Sequence, residues 1–236
     1  MRTIMFFICL LLLNFSIEAQ TKKIFKISPG EKPYDVLPKD EVYKYPGFTD
    51  GNVLLKDGKA ANAKLNYNSL FGEMQFIDPK GDTLSLADEG TIASISIKTD
   101  TFYYGKEEGC LEMLMRFGQM KLMKKKTLYI SNREKLGAMG TTNTSGGVET
   151  YQHLSNNVFL KDLIAQDVIS FSEKISYYIG DRFNYFTELN KKNLFKMYPN
   201  HRSDISDFLE KNKINLTNEE DLKKLCVFLK ESGIAQ

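Results

Sequence analysis

Imidazole and thiol are scarce in this chain: two histidines, His153 and His201, and three cysteines, Cys9, Cys110 and Cys226, among 236 residues. Histidine-based catalysis needs a nucleophile, a base and an orienting group that converge in space. The two histidines lie far apart in sequence and in different segments. No GxSxG elbow, HExxH pair, P-loop, dinucleotide glycine fingerprint or CxxC occurs beside them. The sequence therefore assigns no catalytic residue, no metal site and no cofactor. His201 falls in the first turn of a tail helix, while His153, in Tyr151-Gln152-His153, is the better candidate for a pH-sensitive or ligand contact.

Carboxylates offer a second chemistry. Asp78 and Asp82 flank Pro79-Lys80-Gly81, and Asp88-Glu89 precede Gly90. Paired loop carboxylates serve glycoside hydrolysis or hold Ca²⁺, so a small periplasmic hydrolase built on Asp78, Asp82 and Asp88 is one reading. Against it, the spacing is not that of an EF-hand, and aspartate is at home in turns because it bonds its own backbone.

Tyrosine offers a third. Tyr103-Tyr104 and Tyr177-Tyr178, with Phe183, Tyr185 and Phe186 nearby, form the densest aromatic content of a chain with 12 Tyr, 16 Phe and no Trp. Adjacent residues of a strand face opposite ways, so one of each pair should meet solvent. Exposed Tyr suits recognition, being large, rigid and able to hydrogen bond. The ordinary alternative is Tyr at sheet rims or under the tail. A binding face of Tyr103, Tyr104, Tyr177 and Tyr178, with His153, is expected where these meet the 137–150 segment.

The elements that must position these groups follow an export signal. Arg2, then the apolar run Ile4 to Leu13, then Ser16-Ile17-Glu18-Ala19 before Gln20 read as a cleaved signal over residues 1–19. The run is shorter than the about 20 apolar residues a bilayer span needs, so no integral span is expected after cleavage. The protein is expected to be periplasmic, outer-envelope associated or secreted. Cys9 leaves with the signal. Cys110 and Cys226 remain, either paired in an oxidising compartment or buried as free thiols. A formal charge of +2, with 42% hydrophobic and 26% charged residues, describes an ordinary globular chain and excludes a strongly basic nucleic-acid binder. The one dense basic run, Lys124-Lys125-Lys126, reads as a solvated turn or strand edge.

Residues 20–50 hold Pro29, Pro33, Pro38 and Pro46 and read as an extended, irregular leader. Residues 51–180 read as a β domain, and from Asn52 to about Ile130 the apolar period is two: Ala61, Ala63, Leu65 and Tyr67 alternate with polar neighbours, as do Ala93, Ile95 and Ile97. Asp57-Gly58 marks a hairpin, Asp78-Pro79-Lys80-Gly81-Asp82 another reversal, and SFSEKISYYIG (170–180) a further strand. Residues 137–150, rich in Gly, Thr and Ser, read as a mobile loop. Residues 181–236 form a helical tail. Asn190 or Thr187 caps a first helix that Pro199 stops, and Asn200 caps a second. Thr217 to Glu220 forms a capping box for a third, with Leu222, Leu225, Cys226 and Leu229 on one stripe and Gly233 at its end. The fold class is mainly β (α+β), an antiparallel sheet curled into a barrel or small sandwich with a C-terminal cluster of short helices.

Residues 45–88 carry Gly51 to Gly58 as a G-x-V-x-L-x-D-G hairpin, Leu65 to Asn68 as LNYN, Gly72 to Phe76 as G-x-M-x-F, and Gly81 to Thr83 as GDT. This stretch, with the helical ending 190–229, resembles a loose group of small exported proteins of unknown function from Gram-negative bacteria. The resemblance implies location and architecture, and carries no catalytic or binding residue. The expected role is an exported non-enzymatic envelope or periplasmic module that binds a protein, peptide or glycan partner. Besides the hydrolase, the alternative is a structural subunit of an envelope assembly.

Overall fold

The computed structural model describes residues 23–136, 142–143, 165 and 167–235. The expected signal, His153 and all of 137–150 except Thr142 and Asn143 lie outside the described residues. The described strands are β1 (Ile24–Ile27), β2 (Thr49–Leu55), β3 (Ala60–Asn68), β4 (Glu73–Ile77), β5 (Thr83–Ser85) and β6 (Ile92–Ile97). They continue with β7 (Asp100–Gly105), β8 (Gly109–Phe117), β9 (Met120–Leu136), β10 (Thr142–Asn143), β11 (Val168–Gly180) and β12 (Phe186–Glu188). Their order is β1-β11-β9-β8-β7-β6-β2-β3-β4-β5, with β10 on β9 and β12 on β11, all antiparallel. Turn chemistry sets the reversals. Gly58 takes φ 87° between β2 and β3, and Asp78 Oδ1 accepts from Lys80 N (2.9 Å) and Asp82 N (2.8 Å) between β4 and β5.

The period-two pattern becomes two faces. One rung runs Ala61, Val53, Ile95, Phe102, Glu112, Lys124, Tyr177 from β3 across to β11. The next runs Asn62, Asn52, Ser96, Thr101, Met113, Met123, Tyr178 on the opposite face. The first, packed face holds Val53, Leu65, Met74, Ile95, Ile97, Phe102 and Cys110 as the core of its β2–β8 half. The sheet curls toward this face. Tyr67 Oη, at the end of β3, donates to Lys126 O (2.8 Å), and Leu128 N donates to Ser69 O (2.8 Å), joining β3 to β9 across four intervening strands. Among the described residues it does not close into a barrel: β1 and β5 are its edges and no ladder joins them.

The leader is more ordered than its prolines predict. β1 pairs with β11, and two single-turn helices follow, α1 (Pro33–Val36) and α2 (Lys39–Val42). Pro33 sits in the first turn of α1 and Pro38 at the start of α2, where a fixed φ and a missing N–H cost nothing. Residues 42–45 then run beside the end of β3, with Lys44 N to Tyr67 O at 3.0 Å and Ser69 N to Val42 O at 2.7 Å. Ile27, Leu37, Val42, Leu128, Ile169 and Phe171 form the core beneath.

The tail has α3 (Lys191–Met197), α4 (Arg202–Lys211) and α5 (Glu219–Glu231). Asn190 caps α3 by accepting from Asn193 N (2.8 Å). Two expected caps differ. Pro199 opens a 3₁₀ turn, Pro199–His201, so Asn200 lies inside that turn and α4 has no side-chain cap. α5 is capped by Asn218, which accepts from Asp221 N (3.1 Å), because Thr217 is turned back onto Asn215 Oδ1. Leu222, Leu225, Cys226 and Leu229 are buried with Leu122, Phe117 and Ile179 of the sheet. Cys110 and Cys226 are free and belong to separate cores. No helix among the described residues is long and apolar enough to cross a membrane.

Candidate functional site

β11 ends at Gly180, and the chain reverses through Asp181–Tyr185 into β12. Asp181 organises the reversal. Its Oδ1 accepts from Phe183 N (2.8 Å) and Tyr185 N (2.9 Å), and its own N–H donates to Tyr185 O (3.1 Å). Asn184 takes φ 64°, a conformation Asn tolerates better than most residues, and donates its N–H to Asp181 O (3.2 Å).

A buried lysine holds this turn from below. Lys121, 3% exposed at the start of β9, donates to Asp181 O (3.0 Å) and to Asn184 Oδ1. Its ammonium lies 4.7 Å from the centre of the Tyr103 ring, whose hydroxyl accepts from Arg116 Nη2 (2.7 Å). Burial first, then the nearby Arg116 cation, push the Lys121 pKa below its ordinary value. Phe186 turns inward onto Tyr103, Leu111 and Met123.

With Phe186 inside, Phe183 and Tyr185 point outward, 66% and 76% exposed, the two highest values among the large hydrophobic residues described. The Arg182 guanidinium lies 4.6 Å from the Phe183 ring centre and donates to Gln119 Oε1 (3.2 Å). The turn therefore presents two aromatic rings and a guanidinium on a backbone fixed by hydrogen bonds at several points. Aromatic and Arg side chains are the types that dominate binding energy at protein interfaces. Fixing them in advance lowers the ordering cost of association.

The four tyrosines expected to form a face are divided by the sheet. Tyr103 and Tyr178 lie on the Phe186 side, and Tyr104 and Tyr177 on the packed face. Tyr103 and Tyr177 are both buried, and Tyr104 and Tyr178 half-buried. Alternation placed the pairs on opposite faces, but both faces are covered here, one by the Phe186 ring and the other by the helices over Tyr177 and by the sheet core around Tyr104. Phe183 and Tyr185 belonged to the same aromatic group in the sequence. The signal that separates them is their place within Asp181-Arg182-Phe183-Asn184-Tyr185, where Asp and Asn mark a turn with no sheet beside it.

Asp78 spends its carboxylate on its own turn, and Asp88 sits exposed with φ 53° ahead of a 3₁₀ turn. The exposed Asp82 contributes its N–H to the Asp78 turn. Of the two buried carboxylates described, Glu41 and Glu73, Glu73 accepts from Gln75 Nε2 (3.3 Å) and Ser85 Oγ, and burial raises its pKa. Gln75 extends this network to Tyr43 and Tyr34 of the leader. Among the described residues no group of three or more His, Cys, Asp and Glu side chains is placed to hold a metal ion. No protein-family model matches this chain, and no curated protein and no solved structure resembles it.

Proposed function

We propose that the protein is an exported, non-enzymatic module of the cell envelope or periplasm that captures a protein, peptide or glycan partner through the Asp181–Tyr185 turn. The observation that supports this is the pairing of exposure with rigidity. Two aromatic rings are held out to solvent by Asp181 and by the buried Lys121, a pair of contacts that does nothing for the cores on the packed face. A fold that needed only to reverse its chain there has no use for aromatic residues at the tip. Export rests on the apolar run 4–13 and the small residue before Gln20.

The test is a paired capture from the native envelope fraction, using residues 20–236 and the same chain carrying Phe183→Ala and Tyr185→Ala. The reading expects a stoichiometric partner retained by the first and lost by the second, with circular dichroism unchanged. Equal retention by both chains removes the turn from recognition, and no stoichiometric partner for either removes the binding reading.

A further inference from the structure

The packed face carries an ionic layer between two apolar cores. On β9, Leu122 lies under the helices and Leu128 under the leader, and between them the same face presents Lys124 and Lys126. The Lys124–Lys126 run is thus the interior of a strand rather than a turn or edge. Lys126 bonds Glu41 of α2 (3.1 Å) and Glu173 of β11 (2.8 Å). Lys124 bonds Glu219 in the first turn of α5 (3.0 Å). From the leader, Lys44 bonds Glu112 (2.7 Å) and Asp100 (3.4 Å).

These three lysines line one cavity of about 140 Å³, whose walls also include Tyr67 and Phe102. At about 30 Å³ per water, it has room for a few waters or one small organic ion. Asp40 and Glu112 line it beside the three lysines, and Asp100, Glu41, Glu173 and Glu219 hold the same lysines from outside the lining, so a ligand must compete for ammonium donors rather than meet free positive charge. Each ammonium has three N–H donors. The bonds above use one on Lys124 and two each on Lys44 and Lys126, which leaves donors for a further acceptor. The apolar side of the cavity is the stacked pair Tyr67 and Phe102, ring centres 6.2 Å apart.

We propose that this cavity binds a small carboxylate with a short apolar body, its oxygens on Lys44, Lys124 and Lys126 and its body against Tyr67 and Phe102. Free short-chain acids and the terminal carboxylate of a peptide share this chemistry. The site is separate from the aromatic turn and stands or falls without it. It also ties ligand to tail, because Lys124 is shared between the cavity and Glu219 of α5.

The experiment is calorimetric titration of residues 20–236 with butyrate, acetate, a short peptide ending in a free carboxylate and the same peptide amidated, and inorganic phosphate, at constant ionic strength. Expected is one saturable site that takes butyrate about tenfold more tightly than acetate, since two more methylenes leave water, and phosphate more weakly than either. Tighter binding of the peptide than of butyrate, lost on amidation, assigns the source as a chain terminus; the reverse order assigns a free acid. Lys124→Gln should weaken butyrate about tenfold. Glu219→Gln, which frees the Lys124 ammonium, should tighten it, and Lys64→Gln on the opposite face should leave it unchanged. No saturable binding of any probe, or phosphate bound as tightly as butyrate, overturns the proposal. So does tightening absent in Glu219→Gln, a readout that holds even if Lys124→Gln does not fold.

Discussion

Phe186 occupies space that Gly180 leaves empty: a Cβ at position 180 would overlap the Phe186 ring, and one at Gly105 would lie 2.9 Å from its Cδ2. The ring closes the small core of Tyr103, Leu111 and Met123, and in doing so fixes the far end of the turn that carries Phe183 and Tyr185.

Gly180→Ala should therefore destabilise the protein by about 1–3 kcal/mol, the usual cost of overpacking a filled site. Gly47→Ala is the control, since nothing lies within 4 Å of its added Cβ and its φ is not positive. Urea midpoints at unchanged m-value measure both. Equal midpoints for the two variants would mean that the Phe186 ring moves aside freely.

Lys121→Met keeps the length and apolar stem of the side chain but removes the donor that Asp181 O and Asn184 Oδ1 share. The expected loss is about 1–3 kcal/mol, the cost of leaving Asn184 Oδ1 without its donor and Asp181 O with the Asn184 N–H alone. Amide exchange should quicken at Phe183 and Tyr185 ahead of the β9–β11 ladder. If exchange rises uniformly, Lys121 supports the whole sheet rather than the turn.

Much of the sheet was legible because alternation and turn residues are local signals. Val53, Ile95 and Phe102 line one face as their spacing requires, and Gly58 and Asp78 make the turns their types favour. The caps of α3 and α5 were legible to within a residue, Asn218 replacing Thr217 because Asn215 competes for the Thr217 side chain, whereas the cap expected of Asn200 for α4 is not made. What covers each face was not legible, since nothing local to Tyr103 or Tyr177 reports that β12 or α5 folds over it. Lys124-Lys125-Lys126 misled for the same reason. A charge run looks solvated until its partners are known, and Glu41, Glu173 and Glu219 come from three separate segments.

Cys110 and Cys226 should stay thiols and resist labelling. Burial raises the pKa of both, with Glu89 adding to the effect at Cys110, so little thiolate exists at neutral pH. A thiol-reactive chromophore should label neither in the folded protein and both in denaturant. Rapid labelling of Cys226 without denaturant would show that α5 opens from the sheet.

Acid should unfold the protein through the ionic layer. Hydrogen bonding from Lys23 and from Lys126 holds Glu41 below its ordinary 4.5 despite burial. At Asp100 and Glu219 burial pushes the pKa up, but bonds from Tyr45 and Lys44, and from Lys223 and Lys124, outweigh it and the net shift is down. A carboxylate whose folded pKa is depressed binds fewer protons folded than unfolded. Its stabilisation is present above the unfolded value and is lost as pH falls through the folded one. Glu73, raised by burial, acts with the opposite sign and costs stability as pH rises past 4.5. Glu41, Asp100 and Glu219, with the lowered Asp57 and Asp221, outnumber Glu73 and Glu89, which burial raises, so stability should fall on balance below about pH 4.5. Glu41→Gln should remove about 1–3 kcal/mol at neutral pH, less than a fully buried pair because Lys23 is largely exposed. It should also flatten the acid limb, because the variant has no proton to take up at position 41. Urea midpoints measured from neutral pH downward test both effects. An acid limb as steep in Glu41→Gln as in the parent would place the acid-sensitive contact at Asp100 or Glu219 instead.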